Sequence, residues 1–158
     1  MSDRPLQWFL RDADATATAA RALAQSRPAK AAVHLHGDLG AGKSTLARAM
    51  LRALGVEGPI RSPTYTLVER YRLADGEEAL HLDLYRIGDP GELEFLGIAD
   101  IEPGLWLVEW PERGSGALPG ADLHASLSFE GEGRRLALAA GTPEGRAWLT
   151  RLVEDGRL

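Results

Sequence analysis

Cysteine is absent from the 158 residues of the chain. This absence excludes a disulfide framework, a thiolate metal site and a cysteine nucleophile. Long apolar runs are absent too, because no stretch approaches the roughly 18 apolar residues that a bilayer-spanning helix needs. Residues 1–11 also lack the basic segment and apolar run of a signal peptide. Together these absences predict a cytoplasmic protein that makes no membrane contact.

Positive charge is scarce, and lysine is scarcest of all. The formal net charge is −5, and Lys30 and Lys43 are the only lysines. A protein that grips nucleic acid unaided usually presents a basic face to the phosphate backbone. The charge therefore predicts that any work on RNA or DNA relies on a partner that does the holding.

Against this background, residues 37–45 form the most informative segment. They read GDLGAGKST and satisfy the pattern G-x-x-x-x-G-K-[ST] in full. Glycines let successive backbone N–H groups turn inward toward phosphate oxygens, and the following helix adds its positive N-terminal end. In this pattern Lys43 reaches the β- and γ-phosphates, and the Ser44 hydroxyl completes a Mg²⁺ coordination shell. The segment predicts a nucleotide-binding P-loop.

The rest of the chain alternates between helical and strand patterns, with no repeat or linker. Helices are predicted over 11–25, 43–54, 90–96 and 143–153, and strands over 31–36, 64–73, 79–85, 105–110, 123–129 and 136–138. The Asp75-Gly76 turn signal joins two of these strands into a hairpin. We therefore predict an α/β fold with a single P-loop NTPase domain over 1–158. Its central sheet is mostly parallel, is flanked by helices and carries an inserted antiparallel hairpin.

Two acidic residues qualify as the carboxylate partner that a P-loop needs for Mg²⁺ and its waters. Glu109 ends an apolar strand, where an unpaired carboxylate would be costly to desolvate. Asp83 follows a second apolar run on the hairpin. Either residue is alternatively a solvated acid at a strand end, and the division of metal and catalytic roles between the two stays open.

Less specific signals lie nearby. Thr64, within a run of small and hydroxylated residues at 62–66, is a candidate switch that senses the γ-phosphate, or simply part of a rigid entry to a strand. The histidines His34, His36, His81 and His124 are scattered among strands, where packing or surface roles are commoner than metal ligation. Trp110, next to Glu109, either packs in the core or lines the site.

Five blocks in the chain closely resemble the bacterial TsaE (YjeE) family in sequence, order and spacing. They are 36–45 (HGDLGAGKST), 62–69 (SPTYTLVE), 81–86 (HLDLYR), 89–98 (DPGELEFLGI) and 107–111 (LVEWP). The resemblance implies an ATPase that supports threonylcarbamoylation of adenosine 37 in tRNA. It also implies a two-subunit transferase, TsaB with TsaD, as the partner that performs the transfer. The chain would then reach tRNA only indirectly, and its ATP hydrolysis would reset that complex between turnovers.

The resemblance also assigns roles to residues. ATP binding falls to residues 40–45, namely Gly40, Ala41, Gly42, Lys43, Ser44 and Thr45. Ser44 and Glu109 hold Mg²⁺, Asp83 is needed for hydrolysis, and Thr64 acts as a switch. The nucleotide pocket further extends to Asp12 and Arg134, where the match is weaker.

Two other readings of the P-loop stay open. One is a small-molecule kinase, although the predicted hairpin stands where such kinases usually carry substrate-binding helices. The other is an ATP-gated interaction module whose hydrolysis is incidental. Arg61, Arg70, Arg86 and Arg134 are candidates for an in-chain arginine finger, but none is an obvious one. Slow hydrolysis in isolation, with faster turnover beside partners, is therefore expected.

Overall fold

A seven-stranded sheet organises residues 4–98 and 100–156, which are the residues that the computed structural model describes. The strands are β1 Leu6–Leu10, β2 Ala31–His36, β3 Val68–Arg72, β4 Glu78–Asp83, β5 Leu105–Glu109, β6 Leu123–Glu130 and β7 Gly133–Ala140. The α-helices are α1 Ala13–Ser26, α2 Lys43–Ala53 and α3 Pro143–Glu154, and short 3₁₀ helices span Pro90–Leu96 and Pro111–Gly114. Residues 1–3, 99 and 157–158 fall within the predicted domain 1–158 but outside the described residues.

The strand order is β1-β7-β6-β2-β5-β4-β3. The four central strands, β6, β2, β5 and β4, run parallel, whereas the β1–β7, β7–β6 and β4–β3 pairs are antiparallel. This confirms the α/β class, the single domain with flanking helices and the antiparallel hairpin. The sheet as a whole is mixed rather than mostly parallel, because tight turns after β3 and β6 can join only antiparallel neighbours.

Two hydrophobic cores lie on opposite faces of the sheet. On one face the three α-helices of the described chain pack against the strands, with Leu23, Leu46 and Trp148 fully or almost fully buried. The buried indole N–H of Trp148 donates to the Leu23 carbonyl oxygen at 3.2 Å, so its polar atom is satisfied. A smaller core on the other face packs Leu93 and neighbouring loop residues against β4 and β5. The two cores thereby hold the strands in place below the edge of the sheet at which the parallel strands end.

The four central strands are parallel, so their carboxyl ends all lie at that edge of the sheet. β2 runs into the 37–42 loop and then α2, so the loop lies above the ends of the neighbouring strands β5 and β6. Gly37 has φ +143°, and a Cβ there would lie 2.4 Å from the Leu127 carbonyl oxygen of β6. Only glycine allows this close approach between the loop and the sheet.

Three elements differ most from the sequence-based prediction, and one of them is β7, which was predicted over 136–138 but spans Gly133–Ala140. The hairpin's first strand was predicted from residue 64 but begins at Val68, because residues 64–67 form a turn that ends with Leu67 at φ +68°. The Leu67 N–H donates to the Pro63 carbonyl oxygen at 2.8 Å and closes that turn. Strand β1 was not predicted, since five residues at a sheet edge carry too little periodicity to distinguish them from a loop.

None of the described helices combines the length and the apolar character that crossing a membrane requires.

A cluster of three histidines lies on the sheet face opposite the α-helices. His34 of β2 is paired in register with His124 of β6, and His36 Nε2 lies 2.9 Å from His124 Nδ1. Burial is the largest cause that lowers the pKa of both His34 and His36, and His124 lowers both further.

Other charges act on the cluster from neighbouring elements. Asp122 and the Pro119 carbonyl oxygen oppose the lowering of the pKa of His34. Glu112 opposes the lowering at His36, whereas Lys43 adds to it. The folded protein therefore disfavours charged imidazole at this place.

This cluster predicts a loss of stability in mild acid. Because the folded pKa values of His34 and His36 lie below the unfolded value of about 6.5, their contribution is present above that pH and is lost as the pH falls from it through the folded pKa values. A His34→Gln/His36→Gln variant should lose less unfolding free energy than the parent between pH 7.5 and 5.5, measured by urea denaturation. Carboxylates contribute equally to both proteins, so parallel declines would contradict the prediction.

Candidate functional site

The helix that follows the glycine loop begins without a side-chain cap. Helices α1 and α3 are capped by Asp12 and Thr142, whose side chains accept from backbone N–H groups at 2.9 Å and 3.0 Å. The N-cap of α2 is Gly42, with φ +112° and no side chain to offer. The first N–H groups of α2, with the positive end of its dipole, are thus left for an anionic ligand.

Lys43, the first residue of α2, points its ammonium group back into the loop. Nζ donates to the carbonyl oxygens of Gly37 and Asp38, the latter at 3.2 Å, and lies 4.2 Å from the centroid of the Trp110 ring. The residue is only 5% exposed. Burial lowers the pKa of Lys43, and the nearby carboxylates of Glu109 and Asp83 oppose that shift. A bound phosphate would replace the two carbonyl oxygens as the partner of this cation.

Ser44 and Glu109 meet between α2 and the end of β5. The Ser44 hydroxyl lies 2.9 Å from each carboxylate oxygen of Glu109, which is 3% exposed. A buried carboxylate with a hydroxyl beside it, under a phosphate-binding loop, is a set of hard oxygen donors.

Asp83 lies beside Glu109, because β4 and β5 are parallel and the two residues are paired in register. Burial raises the pKa of Asp83, and the charge of Glu109 raises it further. The Tyr85 N–H donates to Asp83 Oδ1 at 3.0 Å and acts in the opposite direction. Asp83 is thus a better proton acceptor than an exposed aspartate, at the same edge of the sheet as Lys43.

Thr64 lies in the turn that precedes β3. Its hydroxyl donates to Asp83 Oδ2 over 3.5 Å and lies 2.7 Å from the Ser62 hydroxyl. The loop behind it is tied down by Tyr71, whose phenol oxygen bonds both the N–H and the carbonyl of Arg61. Thr64 therefore contacts Asp83 from a segment anchored to the hairpin.

The donor set suits Mg²⁺. Among the described residues, no group of three His, Cys, Asp or Glu side chains could hold a metal by itself. Magnesium, however, is usually bound by one or two protein oxygens together with substrate phosphates. The Ser44 hydroxyl and the Glu109 carboxylate meet that requirement directly beside the uncapped end of α2.

A cavity of about 240 Å³ opens on the other side of the loop, between α1, β6 and β7. It brings together the predicted residues Gly40, Ala41, Gly42, Thr45, Asp12 and Arg134. The guanidinium group of Arg134 lies 4.4 Å from the centroid of the Phe129 ring. Leu10 and Leu127 add apolar walls that sequence reasoning missed. The lining combines apolar side chains with charged groups of both signs, namely Arg11, Arg134, Asp12 and Glu132, a mixture that suits a nucleobase or ribose.

Two further side chains lie beside the acidic pair: His81, for which the sequence favoured a packing or surface role, and Trp110, which the sequence left open between the core and the site. His81 lies two residues before Asp83 on β4, and its Nε2 atom is 2.7 Å from Glu109 Oε2. Trp110 has φ +56°, and its ring lies next to both Lys43 and Tyr85. The two-residue spacing of His81 and Asp83 was a usable signal, because it places both on one face of a strand.

The candidate arginine fingers make their contacts elsewhere. Arg70 pairs with Glu78 of the hairpin, Arg86 lies 4.8 Å from the centroid of the Tyr65 ring, and Arg134 lies over Phe129. Arg61 contributes backbone groups to the contact with Tyr71. Within residues 4–98 and 100–156, none of these four is paired with Asp83 or Glu109.

Comparison with known proteins gives one consistent result. A family model described as threonylcarbamoyl adenosine biosynthesis protein TsaE matches residues 10–137, a range that includes the loop, the acidic pair and Arg134. Two relatives named tRNA threonylcarbamoyladenosine biosynthesis protein TsaE come from Haemophilus influenzae and Synechocystis. The first is 48% identical over 116 residues (72% of this chain, 73% of the relative), and the second is 42% identical over 120 residues (72% and 74%).

The fold has a counterpart among solved structures. The crystal structure of Bacillus subtilis YdiB superposes with a TM-score of 0.78 over 99% of both chains, at 24% identity. This similarity extends through β1 and α3, which lie at the margins of the family match or beyond it.

Adjacent arginines on β7 provide a matched test of the cavity. Arg134 lines it, whereas Arg135 faces the other way and bonds Gln7 and Glu130. We expect Arg134→Ala to weaken binding of a fluorescent ATP analogue about tenfold, which corresponds to roughly 1.4 kcal/mol. Arg135→Ala should change it less than about twofold by the same titration. Equal losses in the two variants would contradict a specific role for Arg134.

Proposed function

The chain belongs to the TsaE family, and from this we propose that it is a Mg²⁺-dependent ATPase that supports threonylcarbamoylation of adenosine 37 in tRNA. It acts in the cytoplasm as an accessory to a TsaB–TsaD-like transferase. The observation that carries the proposal is the contact of Ser44 with Glu109 beneath an uncapped helix end, with Asp83 paired in register alongside.

The site residues divide the work of hydrolysis between them. Backbone N–H groups of the loop, the α2 N-terminus and Lys43 stabilise negative charge on the transferring phosphoryl group. Ser44 and Glu109 would hold Mg²⁺, which neutralises phosphate charge when bound. Asp83 orients the attacking water and accepts its proton, a role for which its raised pKa is suited. Trp110 covers Lys43 and limits access of bulk water to that cation.

Features around the site support a dependence on a partner. No described arginine is paired with the acidic residues, so residues 4–98 and 100–156 do not supply the arginine charge that speeds phosphoryl transfer in related chemistry. The rim also carries large apolar side chains that face solvent: Leu39 is 61% exposed, Tyr65 81% and Phe95 88%. Leu39 lies in the loop before α2, Tyr65 in the turn before β3, and Phe95 in the 3₁₀ helix Pro90–Leu96 that follows β4, and these three segments are called the rim. We propose that the transferase complex docks on this rim and completes the site.

The net charge is in keeping with that arrangement. A chain with formal charge −5 is poorly suited to hold tRNA itself, so it reaches tRNA through the transferase complex.

Hydrolysis is tested by replacing Asp83. In Asp83→Asn we expect phosphate release to fall at least about 100-fold, because the general base is lost, while ATP affinity stays within about threefold of the parent. Phosphate release should be measured with and without the transferase complex. Full activity of the parent in isolation would refute completion by a partner.

Phe95 tests the docking rim. Phe95→Ser should weaken binding to the transferase complex at least about tenfold, since a large exposed aromatic typically dominates an interface. ATP affinity should not change. Val153→Ser is the matched control, because Val153 is 52% exposed but lies on α3, away from the loop. Equal weakening by both variants, measured by surface plasmon resonance, would contradict docking at this rim.

The two alternatives predict different outcomes. A small-molecule kinase would transfer the γ-phosphate to a hydroxylated metabolite, and an ATP-dependent screen would yield a phosphorylated product. An ATP-gated module would tolerate loss of hydrolysis. If Asp83→Asn still binds ATP and the complex, and sustains repeated tRNA modification, gating rather than hydrolysis is the function.

A further inference from the structure

His81 is a fully buried histidine that has no site role in the sequence-based prediction or in the proposed function. It is 0% exposed on β4, and its Nε2 atom lies 2.7 Å from Oε2 of Glu109. Its other ring nitrogen, Nδ1, is buried and has no hydrogen-bond partner among the described residues. A buried polar atom left in this state is uncommon and calls for a physical reason.

The hydrogen-bond pattern determines which ring nitrogen carries the proton. An ionised carboxylate can only accept, so Nε2 donates its N–H to Glu109. His81 therefore acts through Nε2 as a fixed donor to Glu109.

This donor restricts the Glu109 carboxylate. Oε2 is shared between His81 and Ser44, while Oε1 bonds Ser44 within the described chain and retains further acceptor capacity. A glutamate side chain has three rotatable bonds, so a single contact with a serine hydroxyl would leave its plane free to turn. A second contact from a rigid ring on the neighbouring strand removes that freedom.

We propose that His81 is a positioning residue that holds Glu109 in the orientation needed for divalent metal binding. The inference rests on the proposed function, because Glu109 is a metal-holding residue only if the site binds Mg²⁺ with nucleotide. Partners of this kind behind a metal-binding side chain typically change metal affinity by about 10- to 100-fold.

A space-filling role is the competing explanation, and the burial argues against it. Ala79, two residues before His81 and on the same face of β4, is a fully buried apolar side chain that needs no partner. An imidazole brings two polar nitrogens into the same layer and leaves one without a partner among the described residues, which is unfavourable. The contact with Glu109 offsets that cost only if the orientation of the carboxylate matters.

Three substitutions separate the donor from the bulk of the ring. His81→Leu removes the donor and keeps a similar volume. His81→Asn keeps a polar group but is too short to reach Glu109. His81→Gln places an amide N–H close to the position of Nε2. His124→Leu serves as the control, because His124 lies on the opposite sheet face and its ring contacts His34 and His36.

The measurement is the affinity for a fluorescent ATP analogue, first in EDTA and then across a Mg²⁺ titration. For His81→Leu and His81→Asn we expect the Mg²⁺ concentration at half-maximal effect to rise about tenfold, with affinity in EDTA within about twofold of the parent. His81→Gln should lie within about threefold of the parent, and His124→Leu should match it. Thermal unfolding identifies any variant that fails to fold, and the remaining donor-free variant then decides.

A double-mutant cycle completes the test. If His81 acts through Glu109, adding His81→Leu or His81→Asn to Glu109→Gln should change the Mg²⁺ midpoint by less than about twofold. Additive effects, equal losses in EDTA and in Mg²⁺, or an unchanged midpoint in the donor-free variants would overturn the inference. A parent protein whose nucleotide affinity ignores Mg²⁺ would instead overturn the metal site of the proposed function.

Discussion

The desolvated carboxylate of Glu109 is the constraint on which the arrangement of the site depends. A charged side chain at 3% exposure is tolerable only with partners that replace water. Those partners come from two other elements, Ser44 at the start of α2 and His81 on β4. The helix, the two parallel strands and the loop before α2 must therefore keep their relative positions, and the two hydrophobic cores hold them there.

Several groups at the same edge of the sheet are arranged in ways that are unfavourable for the stability of the fold. Asp83 lies beside another carboxylate, and Lys43 is buried against carbonyl oxygens. His81 has one ring nitrogen without a partner in the described part of the chain, and Trp110 occupies the left-handed region. Such features tend to persist at functional sites, where surrounding structure imposes them. A polyanionic ligand with a divalent cation would offset both the paired carboxylates and the buried ammonium group of Lys43. Ligand binding is therefore expected to stabilise this edge of the sheet.

The proposed function assigns different tasks to different parts of the surface. The cavity beside Arg134 and the uncapped end of α2 form the proposed nucleotide site, whereas the exposed Tyr65 and Phe95 belong to the proposed docking surface. Solvent-facing aromatic side chains are typical of surfaces that bind another protein, as the proposed docking requires. The acidic net charge is in keeping with the proposal that the partner recognises tRNA.

The sequence by itself determined the α/β class, the P-loop and the hairpin, because each depends on local signals: glycine spacing, strand alternation and the Asp75-Gly76 turn. It also singled out Glu109 and Asp83 as acids at strand ends, although their roles stay predictions. The pairing of Glu109 with His81, the apolar wall at Leu127 and the order of the seven strands required the tertiary structure. These contacts join residues far apart in the chain, and a one-dimensional pattern records which face a residue takes but not which strand lies beside it.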